Sequence, residues 1–153
     1  MKAIAYSIRP QEKELLALAN GKKHDLTLIS NELNAYTVSY ALGKEVVIVS
    51  PQDRLDRTIL RALKSAGIKH IITRSQTTTH IDLHVATHLG LKVANAPDDD
   101  SSTAGIAYQT IRNLSAWEAG KCVGRACCCQ HTCEVAEKRG NQTTEAKRSG
   151  YGS

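Results

Sequence analysis

Short aliphatic runs recur along the first hundred residues of the chain. Each run is four to six residues long, and none alternates cleanly between apolar and polar positions. This pattern is typical of parallel strands that are covered on both faces of a sheet. The predicted strands are Ala3–Ile8, Leu26–Ile29, Val46–Val49, His70–Thr73 and Leu91–Ala94.

Apolar residues at helical spacing lie between these runs and after the last of them. Residues that recur every three or four positions share one face of a helix, which here would pack on the sheet. Two segments with a less regular pattern, Glu12–Ala19 and Asn34–Leu42, are also predicted to be helical. The regular stripes are Leu55, Ile59, Leu63 and Ala66; Ile81, Val85 and Leu89; and Ala107, Ile111, Leu114 and Trp117.

Glycine and proline positions support the same alternation of strands and helices. A glycine follows each predicted helix, and Pro10 and Pro51 stand where the first residue of a helix is expected. Ser50 is predicted to cap the helix after Pro51, with Asp53 reaching back to it. Five consecutive strand–helix units predict a single α/β domain. Its expected form is a flavodoxin-like, doubly wound parallel sheet of five strands in the order 2-1-3-4-5.

Composition narrows the possible partners. The chain has 153 residues, of which 41% are hydrophobic and 23% charged, and its formal net charge is +5. These values are typical of a globular protein. No apolar run approaches the roughly 20 residues of a membrane span, and the basic residues are scattered along the chain. We therefore expect neither a membrane nor nucleic acid as a partner.

The five cysteines all lie between Cys122 and Cys133. Because cysteines confined to one short segment cannot tie distant parts of a fold together, the folded part is predicted to work in a reducing, cytoplasmic setting. Residues 134–153 carry little apolar content and are predicted to form a flexible tail.

The loops that follow the first and third strands show no known cofactor motif. Ser7–Gln11 offers few donors for a flavin phosphate, and Ser7 and Ser50 stand where a phosphoacceptor domain needs acids. The only G-x-G sequence is Gly150–Gly152, close to the last residue, whereas a dinucleotide fingerprint lies between a strand and a helix. We therefore predict no cofactor for this chain.

The loop after the fourth strand is the best candidate for binding a ligand. Hydroxyl and backbone N–H groups that open onto a helix can hold an anion, and an arginine there adds positive charge. A purely structural alternative has Thr79 capping the helix while Arg74 and Asp82 form an ion pair. The candidate residues are Arg74, Ser75, Gln76, Thr77 and Thr78.

Three further groups of residues could bind a metal, and each has a simpler interpretation. Three adjacent acids at residues 98–100 could hold Mg²⁺ or Ca²⁺ weakly, or form a solvated linker that caps the next helix. The histidines His80, His84 and His88 have ligand spacing, but we expect them to be solvated, as we do His24 and His70. Thiolates and an imidazole at close spacing could bind zinc or copper(I), or could be an inherited cysteine-rich tail that binds nothing. That last group comprises Cys127, Cys129, His131 and Cys133.

Several segments, in order, resemble a known enzyme family. Arg74–Leu83, continued by Leu89–Pro97, is similar to the substrate domain of D-isomer-specific 2-hydroxyacid dehydrogenases, and most similar to bacterial D-lactate dehydrogenases. The opening Lys2–Ser7 with His24–Thr27 agrees with this, and Gln109–Cys122 resembles the C-terminal end of such enzymes. The resemblance covers residues 1–97 and 104–133.

The resemblance implies a domain division and an inactive chain. In the family a complete NAD-binding domain separates the two matching pieces, and it supplies the G-x-G-x-x-G loop and the catalytic Arg, Glu and His. Its removal would leave a substrate domain over 1–133, made of 1–97 and the helix 104–120 joined by the linker 98–103. Such a domain is expected to be catalytically silent by itself, to bind a small 2-oxo or 2-hydroxy acid weakly, and to be a monomer, with self-association as the alternative.

Two other functions stay open. The chain could complement a separate NAD-binding chain, or it could be a cysteine-rich metal-binding protein.

The sequence departs from the family at two places that bear on substrate binding. Thr77 stands where the family usually has glycine, and its Cβ would resist positive φ and crowd a ligand. The acids at 98–100 replace an aromatic-containing segment and would repel a carboxylate. Both changes are expected to weaken substrate binding.

Overall fold

The computed structural model describes residues 1–97 and 100–128, and in that part of the chain five strands alternate with helices. All strand pairs are parallel, in the spatial order 2-1-3-4-5, which confirms the predicted flavodoxin-like α/β fold. The strands are β1 (Lys2–Ala5), β2 (Asp25–Leu28), β3 (Val46–Val49), β4 (His70–Thr73) and β5 (Lys92–Ala94). The α-helices are α1 (Pro10–Asn20), α2 (Arg57–Ser65), α3 (Leu83–His88) and α4 (Thr103–Glu118).

The two faces of the sheet bury two separate apolar clusters. On one face α2 and α3 cover the larger side chains of the strands, among them Ile4, Val47 and Ile71. On the other face α1 and α4 pack together over smaller ones, among them Ala3 and Ala5. Because parallel strands are covered on both sides, their sequences read as continuous apolar runs, as predicted.

The end of β1 differs from its predicted extent. Ser7 has a φ of +57°, an uncommon value for a residue with a Cβ, and the regular strand ends at Ala5. Pairing nevertheless continues through the kink, since the Tyr6 N–H donates to the Ile48 carbonyl. The kink brings Ser7 to the carboxyl edge of the sheet.

The predicted α-helix over Asn34–Leu42 is wrong: only Val38–Ala41 is helical, as one short 3-10 segment. The side chain of Asn34 accepts hydrogen bonds from the N–H groups of Tyr36 and Thr37. Side chains that bind nearby backbone groups in this way compete with α-helix formation, and the aromatic and β-branched residues here are poor helix formers.

The predicted helix start at Pro51 is also wrong. Asp53 does reach back to Ser50, but the hydrogen bonds between them close a turn. The helix starts six residues later, where the Asp56 side chain accepts from the Ile59 N–H and caps α2. Pro10, by contrast, does occupy the first turn of α1, as predicted.

A compact turn precedes α4. Ser102 caps the helix by accepting from the Gly105 N–H, and the Asp100 carboxylate accepts from the N–H and hydroxyl of Ser102. These hydrogen bonds lower the pKa of Asp100 below its usual value. A side chain at Gly105 would collide with Asp100, including its backbone oxygen. Asp100 therefore takes part in helix capping, whereas residues 98 and 99 lie outside the described residues.

We predict that α4 is essential to the stability of this fold. Leu114 is fully buried against the sheet, so Leu114→Ala should lower the free energy of unfolding by about 2–5 kcal/mol, as measured by urea denaturation. Tyr108 lies on the same helix but is 60% exposed, and Tyr108→Ala should cost no more than about 0.5 kcal/mol. Equal effects of the two substitutions would show that α4 does not belong to the core.

Candidate functional site

A buried arginine joins the first and fourth strands at the carboxyl edge of the sheet. Arg74 directly follows β4 and is 4% exposed. Its Nη1 donates to the Tyr6 carbonyl at 3.0 Å and its Nη2 to the Ser7 carbonyl at 3.1 Å, while its Nε donates to Glu12 Oε2 at 3.1 Å. Three of the five N–H donors of the guanidinium are therefore used inside the fold.

The predicted pairing of Arg74 with Asp82 is wrong, and so is the predicted cap at Thr79. Asp82 is itself the cap of α3, since its side chain accepts from the Val85 N–H at 3.1 Å. The acid that pairs with Arg74 is Glu12 on α1, 62 positions earlier in the chain.

Glu12 is held in its charged form. Burial alone would raise the pKa of this carboxyl, but the charge of Arg74 and hydrogen bonds from Arg9 and Arg74 together lower it below its usual value. The pair is thus an ion pair at neutral pH, and removal of either partner would leave a poorly solvated charge.

A second buried carboxylate gathers the loops that follow β1, β2 and β3. Asp53 is 1% exposed. Its Oδ1 accepts from the Ser7 hydroxyl at 2.8 Å and the Leu33 N–H at 3.1 Å, and its Oδ2 accepts from the N–H and hydroxyl of Ser50. These hydrogen bonds hold the loop ends together and help to keep Ser7 in its kinked conformation.

A small cavity opens at the carboxyl ends of β1 and β3, the two neighbouring strands between which the strand order reverses. Its volume is about 210 Å³, and its walls come from the loops after β1, β3 and β4 and from the first turn of α4, including Ser7, Ser50, Arg74 and Thr103. Crevices at such reversals of strand order are where α/β sheets bind ligands. The sequence did not indicate this cavity, because it depends on α4 returning to the sheet edge.

The predicted binding loop after β4 is anchored through its carbonyl groups. The Ser75 hydroxyl donates to the Thr77 carbonyl at 2.8 Å, and the Asn95 side-chain amide donates to the Gln76 carbonyl at 2.8 Å. In a trans peptide the N–H points opposite to the C=O. The N–H groups of Thr77 and Thr78 therefore point away from these anchors, and neither donates a hydrogen bond within residues 1–97 and 100–128.

Thr77 is accommodated without backbone strain. Among the described residues other than glycine, positive φ occurs only at Ser7 and Lys22. Thr77 thus adopts a φ that suits a residue with a Cβ, and the expected resistance to positive φ does not arise. Both Gln76 and Thr77 are exposed, so this loop edge can be reached by a ligand.

The histidines are less solvated than predicted. His24 is 6% exposed, and His80 is half-buried, with Nε2 2.9 Å from the Thr73 hydroxyl. The ring of His70 packs against Trp117 in a tilted arrangement with ring centroids 4.4 Å apart, and burial lowers the pKa of His70 to about 4. Only His84 and His88 of this set are exposed, as expected.

Little of the predicted metal site lies in the described part of the chain. Cys127 is half-buried beside β5 and forms an antiparallel bridge with Ala94. The other predicted ligands, Cys129, His131 and Cys133, lie outside the described residues. In residues 1–97 and 100–128 no three His, Cys, Asp or Glu side chains are grouped closely enough to hold a metal ion. No described helix has the length and hydropathy of a membrane span.

Comparison with protein families gives one match over nearly the whole chain. Residues 3–149 match the model of the catalytic domain of D-isomer specific 2-hydroxyacid dehydrogenases.

Curated relatives agree with this match. An aromatic 2-oxoacid reductase of Clostridium sporogenes is 31% identical over 120 residues, which cover 74% of this chain and 36% of the relative. The D-lactate dehydrogenase of Escherichia coli is 33% identical over 101 residues, which cover 65% of this chain and 31% of the relative. The chain thus spans about a third of the length of these relatives.

Solved structures show the same relationship. The apo structure of the Escherichia coli D-lactate dehydrogenase superposes with a TM-score of 0.63 at 33% identity, covering 65% of this chain and 32% of that one. The D-lactate dehydrogenase of Lactobacillus jensenii, solved with NAD⁺, has a TM-score of 0.58 at 25% identity, covering 79% of this chain and 40% of that one.

We predict an acid-sensitive contribution from the pair of Arg74 and Glu12. Glu12→Gln should destabilise the fold by about 1–3 kcal/mol at pH 7, because Arg74 loses its charged partner. A lowered folded-state pKa stabilises the fold above the unfolded-state pKa, and this contribution is lost as pH falls through the folded-state value. The difference between wild type and Glu12→Gln in urea denaturation should therefore shrink from pH 7 towards pH 3. A difference that is independent of pH would contradict the role of the Glu12 charge.

Proposed function

The chain belongs to the D-isomer specific 2-hydroxyacid dehydrogenase family, and from this premise we propose that it acts as the substrate-binding domain of an NAD-dependent oxidoreductase. The substrate class is a small 2-oxo or 2-hydroxy acid. The domain by itself binds such an acid weakly and does not turn it over. A D-lactate dehydrogenase type of reaction is the most specific form of this proposal, because relatives with that name recur among the matches.

The loop after β4 is the observation that supports substrate binding. Its two anchored carbonyls leave the N–H groups of Thr77 and Thr78 pointing away from the anchors, without partners in the described part of the chain. Backbone N–H groups that are held in place are good donors to a carboxylate, since they need no reorganisation when the anion arrives. A carboxylate is the one group that all 2-oxo and 2-hydroxy acids share.

The residues present do not fit a dinucleotide. A dinucleotide-binding fold places a glycine-rich loop between its first strand and first helix, so that the backbone can approach the pyrophosphate. Here the segment between β1 and α1 contains no glycine. The cavity beside it, of about 210 Å³, is also smaller than the roughly 300–1,000 Å³ of sites for drug-sized ligands.

Because the residues fit a dinucleotide poorly, we expect the domain alone not to catalyse hydride transfer. Hydride transfer needs a nicotinamide beside the substrate and a positioned acid or base, and we assign no residue of this chain to either task. The buried carboxylates of Glu12 and Asp53 have structural partners and do not serve as the acid or base.

We predict no NADH-dependent reduction of pyruvate by the chain alone, as followed by loss of NADH absorbance. The expected rate equals the buffer background, because we assign no residue in the described part of the chain to holding the nicotinamide next to the substrate. Adding the separately produced NAD-binding domain of the Escherichia coli D-lactate dehydrogenase distinguishes a complementing part from a silent one. Turnover by the chain alone would contradict the proposal, whereas turnover only in the mixture would show that its binding surface is complete.

We also predict that pyruvate contacts the loop after β4. In ¹H–¹⁵N spectra, millimolar pyruvate should shift the amide signals of Thr77 and Thr78, since its carboxylate accepts from these groups. Methyl pyruvate, which has no carboxylate, is the control and should not shift them. Thr77→Gly should tighten binding by removing the Cβ next to the donor, whereas Thr77→Ser, which keeps the Cβ, should not. Equal shifts with both compounds, or shifts only elsewhere, would contradict substrate binding at this loop.

A further inference from the structure

Three side chains form a hydrogen-bonded series behind the loop. His80 Nε2 lies 2.9 Å from the Thr73 hydroxyl, which lies 2.7 Å from the Ser75 hydroxyl. The Ser75 hydroxyl in turn lies 2.8 Å from the Thr77 carbonyl oxygen. Thr73 is fully buried and Ser75 is 8% exposed, so both hydroxyls are largely shielded from solvent and are bound to groups of the protein.

The direction of this series is fixed by proton count. A carbonyl oxygen only accepts, so the single hydroxyl proton of Ser75 is donated to Thr77. Ser75 must then accept from Thr73, whose own single proton is used in that bond. The Thr73 oxygen is left to accept, and His80 must therefore donate from Nε2.

These directions require His80 to be a neutral ring with its proton on Nε2. Burial lowers the pKa of His80 despite the opposing charge of Asp53, so at neutral pH only one ring nitrogen is protonated. The Nδ1 atom is buried and has no hydrogen-bond partner among the described residues. An N–H at Nδ1 would leave a buried donor unpaired and would also leave Thr73 without its donor.

We propose that His80 is a positioning residue for substrate binding: through Thr73 and Ser75, its Nε2–H fixes the peptide between Thr77 and Thr78 so that the Thr78 N–H faces the ligand. This inference rests on the proposed function. Because the peptide is planar and trans, holding its carbonyl on one side directs its N–H to the other. The ring nitrogen of His80 that carries the proton therefore determines whether the Thr77 carbonyl is held and the Thr78 N–H faces the ligand.

The first test reads the tautomer directly and needs no ligand. Long-range ¹H–¹⁵N correlation spectra at pH 7.5 should show the His80 proton on Nε2 and an unprotonated Nδ1. A proton on Nδ1 would overturn the proposal, because the series could not then run in the inferred direction.

The second test breaks the series at two places. Thr73→Val keeps the shape of the side chain but removes the hydroxyl, and His80→Phe keeps a ring but removes the donor. Both should shift the Thr78 amide signal, speed its exchange with water, and weaken pyruvate binding about three- to tenfold, the effect of losing one hydrogen bond. His80→Gln offers an amide N–H near the Nε2 position and should retain wild-type behaviour, as should His84→Phe, which alters an exposed residue on α3.

The outcomes separate the two proposals. If His80→Phe does not fold, the nearly isosteric Thr73→Val decides the matter. An unchanged Thr78 amide in Thr73→Val, or equal effects of His80→Gln and His80→Phe, would overturn the positioning role. If the tautomer and the Thr78 amide signals of the variants behave as expected but pyruvate shifts neither Thr77 nor Thr78 in the wild type, the proposed function fails, while the control of the loop by His80 stands.

Discussion

The arrangement at the carboxyl edge of the sheet depends on one buried guanidinium. Arg74 crosses from the end of β4 to the end of β1, where it binds two backbone carbonyls, and reaches on to Glu12 at the start of α1. A buried ion pair of this kind contributes little net stability compared with apolar packing, but it is costly to break. Its effect is mainly geometric, because it sets the position of the kink at Ser7 relative to β4.

The kink and the binding loop are thus parts of one polar framework. Asp53 fixes Ser7 from the side of β3, and Arg74 fixes it from the side of β4. The residue after Arg74, Ser75, begins the loop whose carbonyls are anchored by side chains. The N–H groups of Thr77 and Thr78 point away from these anchored carbonyls and have no partner among the described residues, so they are available as donors on a loop that is held in place.

Much of the fold could be predicted from local pattern. β3 and β4 have their predicted ends, since a short run rich in β-branched residues favours a strand that is covered on both faces. Local pattern failed at Asn34 and Asp53, where polar side chains bind nearby backbone groups and close turns instead of starting helices. A short polar side chain can either close a turn or cap a helix, and the sequence around it does not distinguish the two.

The site was predictable only in outline. The loop Arg74–Thr78 was recognised by its composition and by a family resemblance, but the partner of Arg74 was not, since Glu12 is distant in sequence and reaches it only through the strand order. The inward position of His80 was missed for a related reason. Its neighbours Ile81 and Val85 suggested an exposed ring, whereas the buried hydroxyl of Thr73 at the end of β4 provides a polar partner for a half-buried ring.

The packing of α1 against α4 has a consequence for the order in which the chain can fold. One face of the sheet is covered by α1 and α4, which come from opposite ends of the described sequence. The small side chains of Ala3 and Ala5 become buried there in the same cluster as Ile111 and Leu114. During vectorial synthesis the α2 and α3 side can close before α4 has emerged from the ribosome, whereas the other side stays incompletely covered until α4 follows. Until then, the apolar side chains that α4 buries are accessible to chaperones.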